Sequence, residues 1–479
     1  MSGPRNGSTD GRSDVAVGSR PNPISTAEAM PIPSQELPDP VDLNDLLEPF
    51  ARRGVDLGLA RLQGALAEGG HPERRFAAVQ VAGTNGKGSI TTFLVAILRA
   101  AGLRCGAYRS PHLISWCERI SLDGQWIDPA TLRADLARWR PIAQRHDLTP
   151  FELLSAAAFE RFALADLDLT VLEVGLGGRL DATTAHPHRP VVGFGSIGLD
   201  HCEHLGADLA AIAAEKAGTL SPSVVAVSAA QPPEAARVLQ AEADRLGAEL
   251  RWVEPLPAES EGGPRLGLTG SFQRRNAAVA LGMARALAER GWPHADLQLS
   301  EAVIQAGLAA ARWPGRLEPR RFRGRPLLID GAHNPPAAAM LRQELDRLHS
   351  GPRRWLIGIQ RHKDGPGILE RLLGPGDRAL VVPIPDHRCW SVEELAAAAP
   401  KLAPGLLAVS GVSEGLERLW GDPANGATTA TDPSPQGLEA GGSAPPGGEA
   451  AGSAPCPVVA GSLHLLGEVI PWLDRGDAP

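Results

Sequence analysis

Seven consecutive residues, Gly83-Thr84-Asn85-Gly86-Lys87-Gly88-Ser89, carry what is needed to hold a phosphate group. The glycines let backbone N–H groups turn inward, and a helix starting there adds its positive end. The Lys ammonium supplies a compact charge, and the Ser hydroxyl can reach a magnesium ion. The spelling departs from the strict G-x-x-x-x-G-K-[ST] loop, since position 81 is Val and Gly88 separates Lys87 from Ser89. Lysine is scarce: of 47 Lys and Arg residues, only Lys87, Lys216, Lys363 and Lys401 are Lys. The sequence uses Arg wherever a plain positive charge suffices. A retained Lys therefore points to a tight phosphate loop or to an amine that must lose its proton, and Arg serves neither.

Glu173 ends an apolar run at 169–174, the position where open α/β sheets hold their ligand groups. It reads either as a magnesium ligand or as an acid capping the turn Gly175-Leu176-Gly177-Gly178. That turn lacks the last glycine of G-x-G-x-x-G, which argues against a nicotinamide or flavin site. His201 follows another apolar run, where a lone His is ordinarily a hydrogen-bonded structural residue. Asp330 and His333 close a strand and open a helix through Asn334-Pro335; a turn with N-cap duty is the plain alternative to a ligand role. Lys363, in His362-Lys363-Asp364, reads as a solvated charge cluster at a helix start. No Ser-His-Asp or Cys-His arrangement stands out, so the chemistry is not expected to use a nucleophilic side chain.

A phosphate loop needs a strand before it and a helix after it. Residues 76–82 form a short apolar run, and 89–101 place apolar side chains at Ile90, Phe93, Leu94, Ile97 and Leu98. Apolar runs at 169–174, 191–197 and 224–227 alternate with helical stretches at 151–164, 209–217 and 234–246. The alternation predicts a largely parallel sheet with helices on both faces. After Trp313-Pro314-Gly315-Arg316 a second series begins, with runs at 326–329, 354–359, 379–382, 406–409 and 457–460 and a helix over 336–348. The expected organisation is α/β: a disordered tail at 1–40, a P-loop ATPase domain at 41–312 and a smaller Rossmann-like domain at 313–479. Residues 421–455, rich in Gly, Ala, Ser and Pro, read as an insertion within the second domain. Met30, close to where order should begin, is a candidate true start. The active site is expected to span the cleft between the two domains.

Composition bounds the function. The 479 residues suffice for two or three domains at roughly 150 each. A net charge of −8 argues against nucleic-acid binding, which needs a basic face. The five Cys are far apart and give neither a disulfide framework nor a zinc module. No run approaches the roughly 18 apolar residues of a membrane helix, and the first 25 residues lack a secretory apolar core, so a cytoplasmic protein without membrane contact is expected.

The loop at 83–89 is followed, in order, by Ser110-Pro111-His112-Leu113, Thr149-Pro150-Phe151-Glu152, Glu173-Val174-Gly175-Leu176-Gly177-Gly178-Arg179-Leu180-Asp181, Gly198-Leu199-Asp200-His201, Glu215-Lys216-Ala217-Gly218, Trp313-Pro314-Gly315-Arg316 and Asp330-Gly331-Ala332-His333-Asn334. This series resembles the ATP-dependent Mur-type amide ligases and, within them, the bacterial dihydrofolate synthase/folylpolyglutamate synthase branch. The resemblance covers about residues 43–473, apart from the low-complexity segment. It implies an ATP site at Gly83, Thr84, Asn85, Gly86, Lys87, Gly88, Ser89, Gln273, Asn276, Arg316 and Asp330. It also implies two magnesium ions held with Ser89, Ser110, Glu173, His201 and Lys216, and a catalytic set of Lys87, Lys216, Arg316 and His333. Lys216 is implied to be carbamylated, which requires its pKa to fall well below 10.4. The alternative is an ammonium paired with Glu215 or Asp200. Phe272 stands where relatives often carry His, and Arg388-Cys389-Trp390-Ser391 departs from the usual pattern, so no site role is assigned there.

The implied reaction adds L-glutamate to dihydropteroate, bound near Phe151, or to the glutamate tail of a tetrahydrofolate. It runs through an acyl phosphate and releases ADP and phosphate; a monomer is expected. The competing readings are a cell-wall amino-acid ligase, a plain P-loop nucleotide hydrolase or kinase, and a catalytically silent folate-binding protein.

Overall fold

A computed structural model describes residues 36–421 and 456–475. Nearly all of the expected tail, Met30 and all but the first residue of the 421–455 insertion lie outside the described residues. Eight strands form the first sheet: β1 (Ala78–Ala82), β2 (Cys105–Tyr108), β3 (Ile120–Leu122), β4 (Gln125–Trp126), β5 (Leu169–Glu173), β6 (Val191–Phe194), β7 (Val225–Ala229) and β8 (Glu249–Val253). Their order is β4-β3-β2-β5-β1-β6-β7-β8, with only the short edge strands β3 and β4 antiparallel. Every residue of β1, β5, β6 and β7 is buried, because helices cover both faces. That is why these strands read as continuous apolar runs. From β1 the chain crosses to β2 on one side, whereas β6 flanks it on the other, so the loop after β1 opens into the crevice of a topological switch point.

The helix Lys87–Ala100 starts two residues earlier than its apolar pattern suggests, because Gly86 at φ +85° turns the chain directly into it. It packs against the helices Gln273–Glu289 and Glu301–Ala310, which explains why nearly all of its circumference is apolar. A capping box fixes the helix Pro150–Leu164: the Glu152 N–H donates to Thr149 Oγ1 at 3.2 Å, and the Thr149 N–H donates to the Glu152 carboxylate at 2.7 Å. This start sets the Phe151 ring against Gly175, where a Cβ would lie 2.7 Å from the ring.

The second sheet contains β9 (Glu318–Phe322), β10 (Arg325–Ile329), β11 (Arg354–Ile357), β12 (Arg378–Val381), β13 (Leu406–Ala408) and β14 (Val458–Ala460), in the order β13-β12-β11-β14-β10-β9. All pairs are parallel except β9 with β10. The last strand in the chain, β14, lies between β10 and β11, so the residues on either side of 422–455 belong to one sheet. No helix among the described residues is long and apolar enough to cross a membrane.

Candidate active site

The loop at 83–89 is stapled to the end of β6: the Thr84 and Asn85 N–H groups both donate to the Ser196 carbonyl, at 2.9 and 3.0 Å. The approach is so close that a Cβ on Gly195 would sit 2.3 Å from the Asn85 carbonyl oxygen. Gly195→Ala should therefore displace the loop at a cost of about 1–3 kcal/mol. The expected result is roughly tenfold weaker ATP binding in a fluorescence titration. Lys87 opens the helix and folds back, its Nζ donating to the Thr84 carbonyl at 3.0 Å. Burial lowers its pKa against the opposing fields of Glu173 and Asp200. A phosphate in the loop would supply a closer counter-charge.

Ser89, Ser110, Glu173, Lys216, Arg316 and Asp330 line the same cavity as this loop. The Glu173 carboxylate lies beside the helix start, 3.7 and 3.8 Å from where a Cβ on Gly88 would stand. Burial raises its pKa, and Lys87, Arg109 and Arg316 pull it back. Among the described residues no group of three or more His, Cys, Asp and Glu side chains converges as a metal cage. A single buried carboxylate with two hydroxyls facing a phosphate loop nevertheless suits magnesium, which keeps waters and shares substrate oxygens. His201 lines the cavity too, its Nε2 accepting from the Lys363 ammonium at 3.2 Å. Burial keeps this imidazole neutral, with its pKa pulled down to about 4.

Lys216 is 3% exposed on the helix Leu209–Ala217. The ammonium pair expected as its alternative does not form. Glu215 faces Arg179 at 3.6 Å, Asp200 binds Lys363, and among the described residues no carboxylate lies within ion-pairing reach of Lys216. Burial first, and then the Lys87 charge, pull its pKa down to about 7.

Lys363 corrects the expectation of a solvated charge cluster. Its side chain is 9% exposed and its Nζ lies 2.7 Å from Asp200 Oδ1, a partner supplied by the other sheet. Burial raises the Asp200 pKa, but Lys363, His201 and His333 outweigh it and hold the carboxyl well below the usual range. Asp200 also accepts from Asn334 Nδ2 at 2.9 Å. Asn334 exchanges amide hydrogen bonds with Asn85 at 3.1 and 3.0 Å, while its Oδ1 caps the helix Pro335–Leu348 through the Ala337 N–H. A chain of four side chains, Asn85, Asn334, Asp200 and Lys363, thus ties the phosphate loop to the second sheet. Lys363→Met would leave Asp200 buried and uncompensated. We expect it to lose about 3–5 kcal/mol in chemical denaturation, with Asp200→Asn restoring part of the loss in the double variant.

The remaining expected residues converge on the same space. Both Asp330 oxygens accept backbone N–H groups, from Leu317 and Ala332 at 2.8 Å each, and each keeps a second lone pair. His333 Nδ1 lies 2.7 Å from the Gly331 carbonyl and therefore carries the proton, leaving Nε2 unprotonated, 3.7 Å from Asp200 Oδ2; burial lowers the ring pKa to about 4. Arg316 passes so close over Gly331 that a Cβ there would lie 2.5 Å from its Nη1. Asn276 lines the cavity and packs against Gly86, whereas Gln273 stands one step back and accepts from Asn276 Nδ2 at 2.9 Å.

The family model described as "Dihydrofolate synthetase, C-terminal domain" matches residues 316–390. The dihydrofolate synthase/folylpolyglutamate synthase of Mycobacterium tuberculosis is 36% identical over 387 residues, covering 72% of this chain and 78% of the relative. The chain belongs to the dihydrofolate synthase/folylpolyglutamate synthase family. It is an ATP-dependent ligase. The structure of E. coli FolC in complex with DHPP and ADP has a TM-score of 0.73 at 28% identity, covering 92% of this chain and 99% of the other. A bifunctional folylpolyglutamate synthase/dihydrofolate synthase with Mn, AMPPNP and L-glutamate bound has a TM-score of 0.69 at 28% identity, covering 89% and 96%.

Two residues of this ligase's site escaped the sequence reading. Lys363 stands in a family-like motif, His362-Lys363-Asp364, but its charged neighbours pointed instead to a solvated cluster at a helix start. Arg109, directly before Ser110, is buried, stacks on Trp313 at 4.8 Å and Trp126 at 5.8 Å, and donates to Ser121 Oγ at 2.9 Å. No sequence signal marked it, because Arg is the common cation here.

Proposed function

We propose that this chain joins the amino group of L-glutamate to the carboxylate of dihydropteroate or of the glutamate tail of a reduced folate, cleaving ATP to ADP and phosphate. One observation carries the reading: the phosphate loop and Lys87 open into the same cavity as Asp330 and His333 of the second sheet, in a chain nearly coextensive with a relative solved with DHPP and ADP. We read residues 41–312 as the ATPase domain and 313–479 as the domain presenting glutamate.

A carboxylate oxygen attacks the γ-phosphorus and the bond to the β-phosphate oxygen breaks, giving an acyl phosphate and ADP. The glutamate amine then attacks the acyl carbon, and phosphate leaves. Lys87 and Arg316 hold the phosphate oxygens and offset the charge on the transferring group. Gly83, Thr84, Asn85, Gly86 and Gly88 shape the loop, with Asn276 behind Gly86 and Gln273 orienting Asn276. The unprotonated Nε2 of His333, with the Asp200 carboxylate 3.7 Å away to stabilise the resulting charge, can take a proton from the attacking amine. Magnesium, held by Ser89, Ser110 and Glu173 with a second ion near His201 and Lys216, would neutralise the triphosphate. Lys216 suits carbamylation: its neutral amine adds to carbon dioxide and releases one proton, turning a cation into an anion. Burial without a carboxylate partner favours that neutral amine. We read the enzyme as a monomer, and five unpaired cysteines fit a reducing cytoplasm.

Phosphate release from ATP, measured with glutamate, dihydropteroate, tetrahydrofolate and a cell-wall precursor in each combination, tests the reading. Release should require glutamate together with a pteridine acid. Release indifferent to both would make the chain a hydrolase.

A further inference from the structure

No step of the reaction uses Arg109, yet it is 5% exposed, and a guanidinium is costly to bury. It stands one residue past the end of β2, where Tyr108 pairs with Leu172, and Glu173 holds the matching place on β5. The Arg109 N–H donates to the Arg119 carbonyl at 2.9 Å, which fixes the backbone directly before Ser110.

Its side chain enters a corner made by two indoles. The guanidinium carbon lies 4.8 Å from the Trp313 ring centre and 5.8 Å from that of Trp126, and the two rings meet edge to face at 5.9 Å. Nη1 donates to Ser121 Oγ at 2.9 Å, while Nε is buried without an acceptor. Burial lowers the Arg109 pKa to about 10, and the Glu173 charge opposes that shift, so the group stays a cation at neutral pH. An apolar side chain would fill the corner with no orphaned N–H. The charge therefore serves its neighbours.

Those neighbours border the phosphate loop. A Cβ on Gly88 would stand 3.4 Å from Trp313 Nε1 and 3.7 and 3.8 Å from the Glu173 oxygens, so the indole and the carboxylate flank the residue between Lys87 and Ser89. Ser110 and Glu173 both line the cavity. Burial presses Glu173 toward its neutral form, against Lys87, Arg109, Arg316 and the Ser110 N–H. Three segments remote in sequence thus meet at one guanidinium: the end of β2, the β3–β4 hairpin and the interdomain segment at Trp313.

We infer that Arg109 is a positioning residue: by gripping Trp126, Trp313 and Ser121 it sets the spacing between Ser110, Glu173 and the start of the helix Lys87–Ala100, where a nucleotide-bound divalent ion would be shared. The inference rests on the proposed function through that metal–nucleotide site. Contact with two ring faces resists sideways movement of the guanidinium. Groups that hold a metal's ligands in place govern its affinity much as the ligands do.

The test uses the full-length enzyme carrying Arg109→Met, Arg109→Lys or Ser121→Ala, and reads Mn2+ binding by electron paramagnetic resonance with AMPPNP present. Arg109→Met, which fills the corner without charge or donor, should weaken Mn2+ about tenfold, with AMPPNP binding in EDTA within about twofold of wild type. Arg109→Lys keeps the cation over the rings and should return to within about threefold of wild type. Ser121→Ala removes only the hydroxyl that holds Nη1 and should weaken Mn2+ about fivefold. A merely structural Arg109 would lower the melting temperature and leave the metal affinities alike. Unchanged Mn2+ affinity in Arg109→Met would overturn the inference; where that variant does not fold, the same result in Ser121→Ala would overturn it. Wild-type enzyme that binds Mn2+ with AMPPNP yet never consumes glutamate would overturn the proposed function instead, with Arg109 still decided by the metal affinities.

Discussion

Replacing Lys87 with Ala should lower glutamate-dependent phosphate release by about a thousandfold or more. The ammonium is half-buried, held over the loop by the Thr84 carbonyl, and lies in the field of Glu173 and Asp200. Arg is a poor substitute, because its planar fork cannot occupy the space of a point charge inside so tight a loop. Lys87→Arg should therefore stay within about tenfold of Lys87→Ala. The fold should persist in both, since the helix Lys87–Ala100 is held by its apolar faces rather than by Lys87. Single-turnover acyl-phosphate formation, followed by quenched flow, checks the step; near-normal turnover in Lys87→Ala would remove the loop from the chemistry.

The second large effect is expected at Lys216. An amine pulled down to about 7 by burial and by Lys87 is substantially neutral at physiological pH, whereas an ordinary Lys is not. Carbamate formation needs that neutral form, so occupancy should rise with pH through about 7 and with bicarbonate. Intact-mass analysis in bicarbonate should show one added carbon dioxide, lost in Lys216→Arg. Arg cannot become neutral, and its turnover should drop about a hundredfold or more. Because Arg is also larger, Lys216→Ala supplied with a short carboxylic acid separates lost charge from lost packing. Partial recovery by the acid supports an anion at this position, and wild-type turnover in Lys216→Arg would exclude it.

The sequence by itself determined the elements whose reasons are local. The strand, loop and helix around 83–89 could be read directly, because a fully covered parallel strand must be apolar throughout and a phosphate loop must place Gly, Lys and Ser at the helix start. The helices Pro150–Leu164, Leu209–Ala217 and Pro335–Leu348 were legible from their own apolar patterns, whereas the Thr149 to Glu152 cap emerged only in the structure. Strands whose existence depends on a neighbour were not: β8 and β9 lie at sheet edges with exposed, charged residues, and β3 and β4 are too short to show a period. Tertiary structure alone decided which cations are partnered. Lys363 and Lys401 look alike as residues, yet only the closure of the second sheet onto the first brings Lys363 to Asp200, 163 positions away. The same closure pairs Asn85 with Asn334 across 249 positions. Burial and the identity of a partner are set by long-range packing, and no local pattern encodes them.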